Sequence, residues 1–417
     1  MSKDNKDFFK KKNEWSEIKD RLLECYLTPY FQKVLLTRKP IFYVDCFAGK
    51  GKFEDGKDGS PLIALRIREE CLSRTSRQDK IGAVKTCFID MNYGNELSSN
   101  IASISPSYDV PEVIPGKYED NILKCLQNKQ GYNVFLYIDP YGIKALDLSI
   151  FEAIKTLGFN TFEMLINFNS FGFFRDACRV MCVDYCNDAA LQDLDDLVEY
   201  DPTVVDTTKQ SEDLLSKIAG GDYWKAIVSD FQNGVIDGYQ AEQRLSREYK
   251  NMLKQRYGYV LDMPIRLKPG QRPKYRMIHV CDHEDGCFLM AQNMQKRKDE
   301  LFINIQQQGQ YSIFDMGTIG ASSAEGDTYS REEIADIVEK HISAINADIR
   351  ITKFLASFVN KYGIVCEFKM VYEILDELER SGKIDIVRTP KLTQNGKPTS
   401  FWEEKSGRQI IIRRTKQ

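Results

Sequence analysis

The chain has 417 residues, 42% apolar and 29% charged, which suits a globular protein with a sizeable core and more than one domain. A formal net charge of −3 excludes a polycation, so any nucleic-acid contact must come from local patches. The charged opening residues and the lack of a long apolar run argue against a signal peptide or bilayer span, and so for a cytoplasmic protein without membrane contact.

The first predicted element is a helical segment over residues 10–38, with Trp15, Ile18, Leu22, Leu23, Tyr26 and Leu27 near helical spacing. It belongs to an N-terminal helical region, 1–40. A first strand follows at 41–46. Gly59-Ser60-Pro61 reads as a helix start, with Ser60 as N-cap and Pro61 in the first turn. Strands at 85–89, near 110–114, at 133–138 and at 163–168 then alternate with helices near 94–102, 119–128 and 148–157. Such alternation predicts an α/β fold with a parallel, doubly wound sheet, spanning 41–300.

Within that span, 176–255 reads as a helical insertion or lid with an acidic stretch from Asp184 to Asp213. A hairpin-like pair, 257–267 and 274–282, predicts two antiparallel strands at the sheet end, split by Pro269-Gly270. A helix starts near Gly286. Residues 301–330 read as a linker, rich in Gln, Gly and Ser from 306 onward. The remainder, 331–417, shows three helical patterns (331–343, 350–362, 367–381) and a two-stranded ribbon turning at Asn395-Gly396. Three helices and a hairpin form a winged-helix pattern.

Eleven cysteines, an odd number, do not suggest a secreted disulfide framework. Cys178, Cys182 and Cys186 fall at i, i+4 and i+8, one stripe if helical. No Cys-x-x-Cys pair accompanies them, so a buried face of small side chains is favoured over a metal site. No metal site is expected.

Two loops carry the functional signal. Asp45-Cys46-Phe47-Ala48-Gly49-Lys50-Gly51 follows the first strand. Its glycines allow close backbone approach to a ligand. The spacing is neither the dinucleotide fingerprint nor a P-loop. Asp45 suits acceptance from a ligand amino group or ordering of the turn. Asp90, ending the second strand, stands where an acid bonds a ribose diol. In Asp139-Pro140-Tyr141-Gly142, the acid and a backbone carbonyl can accept from an amine, and Tyr141 can stack on a flat base.

These motifs resemble the class I S-adenosylmethionine-dependent methyltransferases, which have a Rossmann-like sheet. Asp45 through Gly51 matches their first, cofactor-binding motif. Asp90 matches their ribose-binding acid. Asp139-Pro140-Tyr141 resembles the Asp-Pro-Pro-Tyr motif of amino methyltransferases acting on adenine, with one proline fewer. With Gly59-Ser60-Pro61 and Asn167-Phe168 through Arg175 added, the chain resembles the three-Cys-motif partner (TcmP) family over about residues 15–300 and, more loosely, the tail. The resemblance implies S-adenosylmethionine as cofactor. It places Asp45, Phe47, Ala48, Gly49, Gly51, Ser60 and Asp90 around the cofactor, and Asp139, Pro140 and Tyr141 around the methyl acceptor. A nucleic-acid base amine is the expected acceptor class.

The resemblance also leaves a non-catalytic reading, in which the chain binds a ligand and docks a radical-SAM-like three-Cys-motif protein. A nucleotide-sensing winged-helix regulator is a third reading. The third tail helix carries Glu367, Glu373, Asp376, Glu377 and Glu379, which phosphates would repel. The ribbon is basic, with Lys383, Arg388, Lys391, Lys397, Arg408, Arg413, Arg414 and Lys416. Protein contact and wing-mediated nucleic-acid contact both stay open.

Overall fold

The computed structural model describes residues 9–185, 209–266, 273, 275–308 and 329–415. Helix α1 (Glu14–Leu35) starts at Asn13, whose side chain accepts from the Ser16 N–H at 2.8 Å. Strand β1 (Ile41–Asp45) follows, then α2 (Ser60–Arg74), β2 (Val84–Asp90), α3 (Gly94–Ile104), β3 (Glu112–Pro115), α4 (Tyr118–Leu126), β4 (Asn133–Ile138), α5 (Leu148–Lys155) and β5 (Thr161–Phe168). Next come α6 (Ser170–Val180), α7 (Lys209–Ala219), α8 (Tyr223–Gln232), α9 (Gly238–Lys254), β6 (Tyr259–Ile265), β7 (Tyr275–Cys281) and α10 (Glu284–Gln308).

The seven strands form one sheet in the order β3-β2-β1-β4-β5-β7-β6. β1 through β5 run parallel, and β7 lies antiparallel to both β5 and β6. The order reverses between β1 and β4, which is where open α/β sheets bind ligands, at the carboxyl ends of the strands. Alternate residues feed two layers. Tyr43, Phe135 and Tyr137 face α1, α2 and α10, while Val44, Leu136 and Ile138 face α4 through α9. Helix α1 is fixed by Leu22, Leu23, Tyr26, Leu27 and Phe31, all fully buried. Each contributes about 1.5–3 kcal/mol of apolar burial. Tyr26 and Tyr30 pack on the Phe135 ring.

Several expectations need correction. The described helices of the predicted insertion pack as a layer on the sheet rather than as a lid, with Leu215, Trp224, Leu245 and Tyr249 in the same core as β4 and β5; residues 186–208 lie outside the described residues. Helix α6 ends at Val180, so the cysteine stripe does not persist: Cys178 is buried, whereas Cys182 is exposed with a positive φ. Cys186 and Pro269-Gly270 lie outside the described residues. Helix α10 runs to Gln308, into the expected linker; 309–328 also lies outside the described residues.

The tail contains α11 (Arg331–Ser343), β8 (Ile349–Arg350), α12 (Ile351–Tyr362), α13 (Phe368–Arg380), β9 (Ile384–Thr389) and β10 (Gln409–Arg414). Its sheet has three strands, not two, because β8 pairs with β10. The Asn395-Gly396 turn forms as expected, with Gly396 at φ +71° and Thr393 N–H bonded to Lys397 O at 2.7 Å. Helix α12 docks on the edge of the main sheet: Asn360 Oδ1 accepts from Val260 N–H at 2.9 Å, and its amide donates to Gly258 O. Among the described residues no helix is long and apolar enough to cross a membrane.

Candidate functional site

Strand register brings the motif acids to one edge. Asp45 ends β1 opposite Phe88 and Tyr137, so Asp90 and Asp139 each lie two residues beyond it on the neighbouring strands. Ile138 pairs with Ile166, which sets Asn167 beside Asp139.

The glycine-rich loop is built on Asp90. Its Oδ2 accepts from Gly49 N–H at 2.9 Å, and its Oδ1 accepts from Asn92 and Tyr93 N–H at 2.8 and 2.6 Å. Gly49 and Gly51 have φ of +59° and +76°, a region that side chains resist. A Cβ on Gly51 would meet Leu97 Cδ1 at 2.8 Å, and one on Gly49 would meet the Phe9 ring at 3.1 Å. Phe47 packs its ring on Tyr118, and Ala48 is buried with its N–H on Ile89 O at 3.0 Å. The N–H groups of both are thus engaged within the fold, that of Phe47 on Asp45, while the Phe47 ring stays half-buried.

Asp45 is fully buried. Phe47 N–H donates to its Oδ1 at 3.2 Å, and the Ser60 hydroxyl bonds to it as well. Ser60 is not the N-cap expected of it. Gly59 is the cap, and Ser60 is the first helical residue, with its hydroxyl turned to Asp45. Asp45 Oδ2 has no hydrogen-bond partner. Burial pushes the Asp45 carboxyl up to about 7, helped by the nearby charges of Asp139 and Asp20 and opposed by its two hydrogen bonds.

Asp139 sits at the mouth of β4, with Pro140 buried and Tyr141 exposed. Its partners were not legible as site residues. Lys19 of α1 donates to both Asp139 oxygens at 2.8 Å, and Asn167 Nδ2 donates to Oδ1 at 2.7 Å. The Tyr137 hydroxyl reaches Oδ2 at 3.4 Å. The Lys19 ammonium also lies 5.2 Å from the Tyr275 ring centroid. Next along α1, Asp20 pairs with Lys12 at 2.5 Å. Burial raises Asp20 to about 6 despite Lys12, and Asp139 adds to the rise. Asp20, Asp45 and Asp139 thus lie close enough to influence one another, beside the two buried lysines Lys12 and Lys19.

One signal for these lysines exists in the sequence. Trp15, Lys19, Leu22, Tyr26 and Tyr30 recur at spacings of three and four, so Lys19 occupies an apolar-face position. A lysine there needs a buried partner.

The expected basic ribbon is neutralised only in part. Lys383 pairs with Glu339, Arg388 with Asp376 and Glu379, and Arg413 with Asp348. Lys391, Lys397, Arg408 and Arg414 carry no ion pair among the described residues, and Lys416 lies outside them. His279 is buried in β7 against Glu163 at 2.9 Å, in the register row of Asp45 but three strands across the sheet from it. Among the described residues no group of three or more His, Cys, Asp or Glu side chains is arranged to hold a metal. A scan against protein-family models finds no match to this chain, and a search of curated proteins finds none either.

Proposed function

We propose that the chain is an S-adenosylmethionine-dependent methyltransferase acting on an amino group of a nucleic-acid base, as its resemblance to the class I methyltransferases and to the Asp-Pro-Pro-Tyr motif of their adenine-modifying members implies. The observation that carries this reading is Asp45 Oδ2, a buried acceptor without a partner at the sheet's switch point. Buried polar atoms are rarely left unmade, and a ligand ammonium would complete this one. Gly49 and Gly51 leave room for close backbone approach, and Asp90 retains acceptor capacity on Oδ2 for a ribose hydroxyl. The cofactor supplies a methyl group already activated on a sulfonium. The protein then has mainly to align the acceptor. Asp139 would receive the acceptor amine, Pro140 shape the turn, and exposed Tyr141 stack on the base. A reducing, cytoplasmic setting belongs to the same proposal.

Calorimetry with S-adenosylmethionine tests it, on the wild type and on Asp45→Asn. Micromolar binding lost in the variant supports the site and justifies a labelled-methyl search through nucleic-acid pools. No binding by the wild type would overturn the cofactor assignment.

A second reading concerns the tail. Its three helices and small sheet suit a winged helix, and the acidic α13, which phosphates would repel, supports a protein partner. We propose that this unit docks a three-Cys-motif protein. Gentle co-purification checks this; recovery of the chain without any partner would count against it.

A further inference from the structure

We propose that Lys19 is a positioning residue for methyl transfer, holding Asp139 in the orientation from which it receives the acceptor. The inference rests on the methyltransferase reading. Lys19 comes from the helix that precedes the sheet, outside every loop that carries a motif. Its side chain is about one-tenth exposed, and that of Asp139 about one-fifth. A lysine has little reason to be buried there except for its partner.

The hydrogen-bond count explains what Lys19 does. A carboxylate offers about four acceptor positions. Lys19 takes one on each oxygen, and Asn167 takes a second on Oδ1. The last, on Oδ2, is held only by the Tyr137 hydroxyl at 3.4 Å, the longest of the four contacts. An incoming amine can replace that contact while Lys19 and Asn167 keep the carboxylate in place. Without Lys19, Asp139 would keep Asn167 on one oxygen and be free to rotate. Its charge would also stand uncompensated beside Asp45 and Asp20. Lys19 is not within the Asp45, Asp90 and glycine-loop contacts, so its loss should spare cofactor binding.

The test uses Lys19→Met, Lys19→Arg, Asp139→Asn and the Lys19→Met/Asp139→Asn double variant of the full chain. Cofactor affinity is read by calorimetry with S-adenosylmethionine, and kcat/KM by labelled-methyl transfer into the nucleic-acid pool that the wild type modifies. The expected loss for Lys19→Met is ~100-fold in kcat/KM, the scale of a misplacement of about 1 Å. Cofactor affinity should stay within about threefold, and Lys19→Arg should recover most of the loss. In the Asp139→Asn background the lysine change should cost nothing further, since both act through one group. Additive losses would overturn the role, as would Lys19→Met at wild-type rate or with its cofactor binding abolished. A wild type that binds cofactor but transfers to no pool would sink the methyltransferase reading and this role together. Transfer by the wild type with Lys19→Met unaffected would sink this role alone.

Discussion

Asp45→Asn should stabilise the cofactor-free protein at alkaline pH while removing its ligand. Burial holds the wild-type carboxyl at about 7 in the fold, against 3.8 for an exposed aspartate. Between those values the native state keeps a proton that the unfolded chain has released. Stability therefore falls as pH rises from about 4 to about 7 and levels off above. From about pH 5 to about pH 7 the loss is about 3 kcal/mol, at roughly 1.4 kcal/mol per pH unit. Asparagine stays neutral throughout and mimics the protonated acid. Its amide meets the same unpartnered position as Oδ2, so that cost is common to the variant and the protonated wild type. The stability difference, variant minus wild type, should thus be about 3 kcal/mol more positive at about pH 8 than at about pH 5. Urea unfolding of both proteins without cofactor at the two pH values measures it. Affinity for S-adenosylmethionine should drop by about 10–100-fold, the worth of one charge-assisted hydrogen bond. A difference that does not change with pH would refute the reasoning, because Asp45 would then not be held protonated by the fold.

Other changes probe the same edge. Asp90→Ala frees Gly49, Asn92 and Tyr93 N–H together; a loss of about 2–3 kcal/mol in urea unfolding is expected, with weaker cofactor binding by calorimetry. Gly51→Ala combines a φ of +76° with a 2.8 Å approach to Leu97. It should cost more than Gly56→Ala, at φ +87° in open space, where a melt should show only about 1 kcal/mol of backbone strain. Glu242→Ala removes the carboxylate that holds Arg276 at 2.7 and 2.9 Å and leaves the guanidinium with Asp262 alone. A loss of about 2–3 kcal/mol in chemical unfolding is expected, the scale of hydrogen bonds to a charged group.

Local pattern made much of this protein readable. Apolar runs ending in Asp45, Asp90 and Asp139 defined three strands and their acids, because strand ends and loop chemistry are local properties. The turn at Asn395-Gly396 was likewise legible, since Gly396 alone supplies its left-handed φ of +71°. Boundaries were less legible, as in α10, which continues to Gln308 past the expected linker start. The third strand of the tail sheet was missed because β8 is only two residues long and exists through its pairing with β10.

The candidate site divides along the same line. Residue types within a loop announced the cofactor-side acids, but Asp45's raised carboxyl and empty Oδ2 arise from burial by distant segments. Lys19 and Asp139 lie 120 positions apart in the chain. Their contact exists because α1 buries an aromatic and leucine face on the sheet and carries one lysine inward with it. Sequence determined which side chains were present and which strands ended in acids. Tertiary packing decided which of those charges are neutralised, protonated or left open, because desolvation and pairing depend on what arrives from elsewhere in the fold.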